Sequence, residues 1–576
     1  MKTVKKFLAL MLVGALMFTA VPGGAKRSAE TADRSVHQRV ALDTDPTDGY
    51  AGDYVVMYNP SEDISNTMST GTLDGKIITT LNPSVMPDVL TPDVPVMIDA
   101  DAEMEERARE KYPDAKLKPN AVKTDYPVGS TRAFAIDYYS PNSSGDTIEF
   151  KVLYVGEHCR IWTPTTTGDQ NNYYPLDTID ASFAEAAANA FDSKFDLMQF
   201  SYGDFYDING DGKVNLMYYN IDEGWDPNTG GGYVGGYFYS GDFYGSNRLP
   251  MIHIDTYPGI TRDGTTGDIE STYSTIVHEF QHLINFSNCS MAGWLNEVCS
   301  ASAEELCFPG DQLINRLRYW TMNFFSNYYP AEAECYGQMQ YGGPLPKWDN
   351  SLHVYCLGML FSQYLYTRFG TTAIFKQLID EAGSYTGYDD SNNYSFGALK
   401  AVTGLDMDTI WFEFFTSIVA NARDAGYGFV MNEGYDPQTH SGIADPYELL
   451  CPVVFTGSTA TVYGGGFVTV KPVGGVFVPP EDASPDLKYV GITLDPPESP
   501  DPTTAPTTAP TTAPGLLGDA DGNGEVEASD ALLILRYAME IIDGSGLVLE
   551  NCDYDGNGKI EASDALLTLR KAMGII

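Results

Sequence analysis

The strongest constraint on this chain is the segment His278–His282, which reads His-Glu-Phe-Gln-His. Two histidines four residues apart lie on the same face of an α-helix, so both imidazoles can bind one metal ion. Glu279 follows the first histidine, where its carboxylate can take a proton from a metal-bound water. Zinc lowers the pKa of such a water to about 7. The segment therefore predicts a helix that carries one catalytic zinc ion, with Glu279 as the general base.

The residues around this segment favour a helix and restrict the ligand set. Between Glu270 and Phe286, apolar residues recur at helical spacing with no Pro or Gly inside. A set of three histidine ligands would need a Gly and a third His at positions 285 and 288, as in the metzincins. The chain has Asn285 and Asn288 instead. The spacing therefore favours two histidines and one glutamate.

A catalytic zinc needs three protein ligands and an open position for water. Glu297 follows a Trp-Leu-Asn sequence and begins a second helix-like run a short distance after the histidines. We expect it to be the third ligand. Three other nearby carboxylates remain alternatives: Glu304, Glu305 and Asp255.

A turn rich in Asp and Gly precedes a predicted strand. Asp207, Asn209 and Asp211 have the spacing of a calcium-binding loop, but Tyr218 stands where the closing carboxylate would be. The turn is interpreted either as a further calcium site or as a tight Asx and Gly turn without metal.

The C-terminal part contains an internal repeat. After Pro496, Thr-Thr-Ala-Pro occurs three times in a run that is typical of an extended spacer. Beyond it, two similar segments are 34 residues apart, and each combines an oxygen-rich loop with a following apolar helix. Their side chains have the spacing of calcium-binding loops closed by Asp. The predicted calcium ligands are Asp519, Asp521, Asn523, Glu525 and Asp530, followed by Asp553, Asp555, Asn557, Lys559 and Asp564. Glu525 and Lys559 stand at the seventh position of each loop, which can offer a backbone carbonyl.

The N-terminus and the overall charge restrict the compartment and the partners. Lys2, Lys5 and Lys6 precede an apolar run, Phe7–Val21, and small residues end at Ala25. This pattern predicts a secretory signal peptide. No later segment approaches 18 apolar residues, so we expect no membrane span. With 34 Lys and Arg against 78 Asp and Glu, the net charge of −44 argues against nucleic acid as a partner.

The repeat resembles a type I dockerin over nearly all of residues 516–576. The resemblance implies two bound calcium ions and attachment to a cohesin module of a cellulosome scaffold. The cohesin-facing positions of the family, the tenth and eleventh of each loop, fall on Ala528, Ser529, Ala562 and Ser563. Because the two pairs are identical, the resemblance implies that either repeat could dock.

Residues 131–495 resemble the hyicolysin-type family of neutral zinc metallopeptidases. The matching segments are Val155–His158, Asp207–Asn215, Gly235–Asp242, Ile254–Thr256, His278–Ile284 and Trp294–Glu297. The resemblance implies that His278, His282 and Glu297 bind zinc and that Glu279 is the base. Many related enzymes place an Asp four residues after the third ligand, to orient a zinc-bound histidine. Ala301 stands there, so Glu304 or Asp255 is expected to take that role.

These observations predict an α+β protein with a gluzincin-like catalytic domain and a small all-α dockerin. The expected segments are a signal peptide (1–25), an N-terminal segment or propeptide (26–130), the catalytic region (131–495, β-rich from about 445), a Pro/Thr linker (496–515) and the dockerin (516–576). Within the catalytic region, Phe150–Gly156 predicts a strand, and Phe183–Met198 predicts a helix capped by Asp180 or Ser182.

The expected function is hydrolysis of protein or peptide substrates by a secreted, cellulosome-associated endopeptidase. Two alternatives remain open. One is an adhesion or binding protein on a zinc-protease fold, although such a protein would have no need of Glu279. The other is a carbohydrate-active enzyme, which would need a pair of catalytic carboxylates.

Overall fold

The computed structural model separates the chain at Pro496 into a large unit and a smaller C-terminal unit. The described residues are 36–79, 104, 107–108, 110–112, 123–136, 146–165, 179–221, 233–260, 267–317, 341–347, 352–370, 372–385, 391–440, 442–450, 452–496, 517–520, 526, 528–538, 547–554, 559–560 and 562–572. The predicted signal peptide and nearly all of the predicted linker lie outside them.

The large unit mixes strands and helices, as the sequence predicts. Its first strands are β1 (Val40–Asp43), β2 (Tyr50–Ala51), β3 (Tyr54–Tyr58), β4 (Thr67–Ser69), β5 (Thr131–Ile136), β6 (Asp146–Val155) and β7 (Cys159–Pro164). There follow α1 (Ala181–Tyr202), β8 (Val214–Tyr219), β9 (Gly236–Phe238), β10 (Met251–Asp255), α2 (Tyr273–Asn288) and α3 (Gly293–Cys307). The remaining elements are β11 (Tyr341–Pro344), α4 (Leu352–Phe369), α5 (Ala373–Ser384), α6 (Ser391–Thr403), α7 (Met407–Ala420), β12 (Thr461–Tyr463), β13 (Gly466–Val470), β14 (Val476–Phe477) and β15 (Lys488–Leu494).

A six-stranded mixed sheet, in the order β5-β6-β7-β8-β10-β9, supports the site. Strands β7, β8 and β10 are parallel, and β9 is an antiparallel edge strand. Because successive side chains of a strand point to opposite faces, β8 contributes Leu216 and Tyr218 to one core and Met217 and Tyr219 to another. The first core includes residues of α1 and α2. The second includes Met104 and Ala108, from the N-terminal segment.

Helix α1 illustrates how local sequence determines an element. Asp180 accepts hydrogen bonds from the backbone N–H groups of Ser182 and Phe183, so it is the N-cap, one of the two predicted residues. The helix buries a stripe rich in Ala and Phe, and it continues beyond the predicted end, to Tyr202. Strand β6 likewise covers the predicted strand, except for Gly156, and begins earlier.

A second, five-stranded sheet joins the two ends of the large unit, in the order β1-β15-β3-β13-β11. Strand β3 lies between β15 and β13 and pairs antiparallel with both. Its residues Val55, Val56 and Met57 are fully buried. The sequence patterning indicates a β-rich part near the end of the unit but no strands before residue 131. The described residues of that segment include four strands, whose partners are more than 380 residues away in the chain.

The described part of the C-terminal unit contains α8 (Ala528–Ala538), α9 (Leu549–Cys552) and α10 (Ala562–Ala572). Ala520, Ile534, Cys552 and Ala565 form its small core. Within the described residues, no helix is both long and apolar enough to cross a bilayer.

Candidate metal centre

Helix α2 carries the predicted histidines and glutamate on its buried side. Its apolar residues Val277, Phe280 and Leu283 pack in the core of the large unit. This packing holds the helix against β9 and β10. His278, Glu279 and His282 are 7, 3 and 2 % exposed. Such polar groups are stable inside a protein only when partners or a metal satisfy them.

Helix α3 supplies the carboxylate. The sequence predicts that this helix begins at Glu297, but it begins at Gly293. The correction has a physical reason, because the carbonyl of Ala292 already accepts hydrogen bonds from Leu295 and Asn296, and Trp294 is buried in the core. Glu297 therefore lies in the second turn of α3 and not at its first residue. Helix α3 packs against α2.

The side chains of His278, His282 and Glu297 converge. Each offers a ligand atom, and these atoms lie within 4.8 Å of one another. Glu297 Oε2 is 3.3 Å from His278 Nε2, and Glu297 Oε1 is 3.5 Å from His282 Nε2. Two ligand atoms at a tetrahedral angle, each about 2.0–2.1 Å from zinc, are about 3.3–3.4 Å apart. The spacing and the donor types therefore fit a zinc ion. Among the residues that the structure describes, no other set of three such donors converges in this way.

The charged groups of the cluster alter one another's pKa. Burial alone would lower the pKa of His278, but hydrogen bonds to Glu297 and Glu304 outweigh it and raise the pKa to about 10. Burial would raise the pKa of Glu297, but the charges and hydrogen bonds of His282 and His278 hold it below its usual value. The carboxylate form of Glu297, which metal binding requires, is therefore favoured.

The three alternative carboxylates have other partners. Asp255 accepts hydrogen bonds from the backbone N–H groups of Ile221 and Gly259. Glu305 accepts one from Gly310. Glu304 lies 2.7 Å from His278 Nδ1, on the side of the imidazole away from Glu297. Of the four carboxylates, Glu297 is the one beside both Nε2 atoms.

The turn at Asp207, Asn209 and Asp211 is described completely. The carboxylate of Asp207 accepts hydrogen bonds from Gly210 and Gly212, whose positive φ angles of 71° and 74° suit glycine. The guanidinium of Arg160 lies 2.9 Å from Asp211 Oδ2. The guanidinium thus pairs with a carboxylate oxygen that a calcium ion would need as a ligand. The geometry favours the interpretation as a turn without metal.

The predicted calcium loops of the C-terminal unit are described in part. Asp519, Asp530 and Asp564 are buried, and Asp530 Oδ1 accepts a hydrogen bond from Ala520 N. Ala528 and Ala562 begin α8 and α10. The other described positions are Asp553, near the end of α9, and Lys559. Two sets of predictions lie outside the described residues. The first is the calcium positions Asp521, Asn523, Glu525, Asp555 and Asn557, and the second is the side chains of Ala528, Ser529, Ala562 and Ser563.

Sequence reasoning missed Arg316. It lies outside the motif, and its contact with Glu304 joins residues of separate helical segments. A single buried arginine after a helix has no distinguishing spacing, so no local signal could have identified it.

Comparisons with known proteins relate the chain to a metalloprotease and its C-terminal repeat to a dockerin domain. Residues 517–571 match the Dockerin type I domain. The chain is 29 % identical over 247 residues to the neutral metalloprotease ShpI of Staphylococcus hyicus, a match that covers 40 % of this chain and 50 % of that protein. The chain thus spans about half the length of this relative. A mutant M1 zinc metallopeptidase from Deinococcus radiodurans aligns with 49 % of this chain and 60 % of its own, at 11 % identity and a TM-score of 0.26.

These findings confirm the two resemblances on which the sequence interpretation depends. The chain combines a part similar to a neutral metalloprotease with a C-terminal type I dockerin.

Proposed function

We propose that this protein is an exported zinc-dependent endopeptidase that docks through its dockerin onto a cohesin module of a cellulosome scaffold. The observation that supports the catalytic part is the convergence of His278, His282 and Glu297, with Glu279 on the same helix as the histidines. The similarity to a neutral metalloprotease points in the same direction.

The proposed mechanism assigns one role to each residue. His278, His282 and Glu297 would hold the zinc ion. The ion would supply Lewis acidity to the scissile carbonyl and lower the pKa of the attacking water. Glu279 accepts the proton of that water and delivers it to the leaving amine. The burial of Glu279 strengthens its electrostatic interactions at the site.

The proposed attachment uses the C-terminal unit. Each loop would bind one calcium ion, and the pairs Ala528–Ser529 and Ala562–Ser563 at the starts of α8 and α10 would face the cohesin. Residues 1–25 would act as the signal peptide, so the enzyme would work outside the cell.

Cleavage of casein by the purified chain tests this proposal. Wild-type protein loaded with zinc is expected to cleave casein, and a phenanthroline chelator should abolish the cleavage. Glu279→Gln removes the base but leaves the three ligands. We expect kcat to fall by about 10²–10⁴-fold while zinc is retained. Glu305→Gln is the matched control, because Glu305 is equally buried but is bonded to Gly310 instead of facing the metal cluster.

Two results would contradict the proposal. Folded, zinc-loaded protein that cleaves no protein substrate would favour the adhesion alternative. Release of sugar that is insensitive to the chelator and to Glu279→Gln would favour a carbohydrate-active enzyme.

A further inference from the structure

Glu304 connects a predicted zinc ligand to a buried arginine. Its Oε1 atom lies 2.7 Å from His278 Nδ1, and Arg316 Nη2 lies 2.9 Å from Oε1 and 2.8 Å from Oε2. The side chains of all three residues are less than one-tenth exposed. A carboxylate held by a cation on one side and an imidazole on the other has little freedom to move.

Helix geometry explains why Glu304 can reach this place. It lies seven residues after Glu297 on α3, and seven residues are close to two turns of an α-helix. Ala301, four residues after Glu297, lies on the same face but ends in a methyl group. The carboxylate on this face therefore comes from one turn further along the helix, and the longer glutamate side chain spans the distance.

Arg316 belongs to a different helical segment, residues 311–317. Its guanidinium lies over the ring of Tyr355, 5.5 Å from the ring centroid, and its backbone carbonyl accepts a hydrogen bond from Cys356 Sγ. Two contacts thus join Arg316 to α4. They hold the guanidinium against the carboxylate of Glu304, and its charge offsets the cost of burying that carboxylate.

We propose that Glu304, held by Arg316, is the positioning residue of this metal centre. The carboxylate accepts a hydrogen bond from Nδ1–H of His278, which selects the tautomer with a lone pair on Nε2. Nε2 is the atom that lies 3.3 Å from Glu297, so the lone pair is directed into the ligand cluster. This inference rests on the proposed zinc function. It adds the particular residues of this chain that would orient one ligand.

The contrasting interpretation is a buried ion pair that only stabilises the fold. A matched pair of variants separates the two. Glu304→Gln keeps the size of the side chain and one acceptor oxygen but removes the charge. Glu305→Gln makes the same change at the next position of α3, where the carboxylate contacts Gly310 and not a histidine. Both are measured in the full secreted chain.

Zinc affinity and the absorption spectrum of the Co²⁺-substituted protein are the decisive readouts. We expect Glu304→Gln to weaken zinc binding by about 10–100-fold and to change the Co²⁺ bands. For casein cleavage, kcat should fall while KM stays within about twofold. Glu305→Gln should leave the zinc affinity and the Co²⁺ spectrum as in the wild type. Unchanged affinity and spectrum in folded Glu304→Gln would overturn the proposal.

Arg316→Lys gives a second measurement if Glu304→Gln does not fold. Lysine keeps the charge but lacks the planar group that holds a carboxylate in one orientation. Weaker zinc binding by folded Arg316→Lys supports the proposal, and wild-type affinity contradicts it. Because zinc binding is measured without a peptide substrate, wild-type protein that binds zinc but cleaves no casein would refute the endopeptidase function alone.

Discussion

Three glutamates of one helix show how surroundings decide what a side chain does. Glu297, Glu304 and Glu305 all lie on α3, and all are at most 3 % exposed. Glu297 faces two imidazoles, and Glu304 faces one imidazole and the guanidinium of Arg316. Glu305 instead accepts hydrogen bonds from two neutral groups, the backbone N–H of Gly310 and the side chain of Asn432. Burial therefore raises the pKa of Glu305 to about 8, because the hydrogen bonds from Gly310 and Asn432 offset only part of the desolvation.

This raised pKa predicts a dependence of stability on pH. The folded-state pKa of Glu305 lies above the ordinary value of 4.5, so the unfolded chain loses this proton at lower pH than the folded chain does. Stability from this group is complete below about pH 4.5 and is lost as pH rises through about 8, by on the order of a few kcal/mol. Glu305→Gln cannot ionise and should lack this loss.

Thermal unfolding of the large unit at pH about 5 and about 8.5 checks this prediction. The unfolding temperature of Glu305→Gln, relative to wild type, should be higher at the alkaline pH than at the acidic pH. Comparing the variant with wild type removes the pH dependence of zinc binding, which both share. A constant difference between the two proteins at both pH values would show that Glu305 ionises normally.

Two sets of elements matter most for the large unit. Helices α2 and α3 form the site, and strand β3 joins the two ends of the unit by pairing with β13 and β15. The packing of the helices and the pairing of the strands both depend on buried apolar side chains. In α3, Trp294 packs beside Phe361 of α4 and Trp411 of α7, and this anchors the first turn of the helix that carries Glu297. In β3, Val55, Val56 and Met57 are fully buried, and the strand has partners on both sides.

The pairing of strand β3 predicts that the segment around it stays in the mature chain. Removal of residues 1–59 would take away β1 and β3 and leave β13 and β15 without their shared partner. The three buried side chains of β3 alone contribute roughly 5–9 kcal/mol of burial, comparable to the whole stability of a typical domain. We expect a chain that starts at residue 60 to be insoluble or unfolded.

A chain that starts at residue 36 is the control, because it retains every described strand. It should be soluble and should unfold cooperatively. The N-terminus of active enzyme, determined by sequencing, should accordingly lie before Val40. Active enzyme whose N-terminus lies beyond Tyr58 would contradict this prediction and would favour a removed propeptide.

For the whole molecule, the division at Pro496 predicts separate responses to separate ions. The described residues of the C-terminal unit form a small core, and its buried Asp519, Asp530 and Asp564 stand at predicted calcium-binding positions. Domains of this size have little buried surface, and a bound metal is one common source of their stability. Calcium removal is therefore expected to unfold this unit and to abolish cohesin binding.

Differential scanning calorimetry of the full chain, with and without calcium and in the presence of zinc, measures this effect. One transition should move to lower temperature without calcium, and the transition of the large unit should stay in place. Asp530→Ala combined with Asp564→Ala should reproduce the effect with calcium present. A calcium-dependent shift of the large transition would instead indicate a cation site in that unit, with the turn at Asp207 as the first candidate.

The sequence by itself determined the features that are local in the chain. His278 and His282 share a helix face because of their spacing, and the two loops of the dockerin repeat carry their oxygens within a few residues. The cap of α1 at Asp180 is equally local. Such features depend on one helix turn or one loop, so their residues remain neighbours whatever the rest of the fold is.

Only the tertiary structure decided which carboxylate lies beside the histidines, what Glu304 contacts and where the N-terminal strands pair. Glu297, Glu304 and Asp255 are equivalent in chemistry and all are close to the motif in sequence. The packing of α3 on α2 separates them, because it determines which side chain points at an imidazole and at which nitrogen. Strand β3 pairs with strands more than 400 residues away, and no local pattern contains that information. Contacts of this kind depend on the burial of surfaces that come together only in the folded chain.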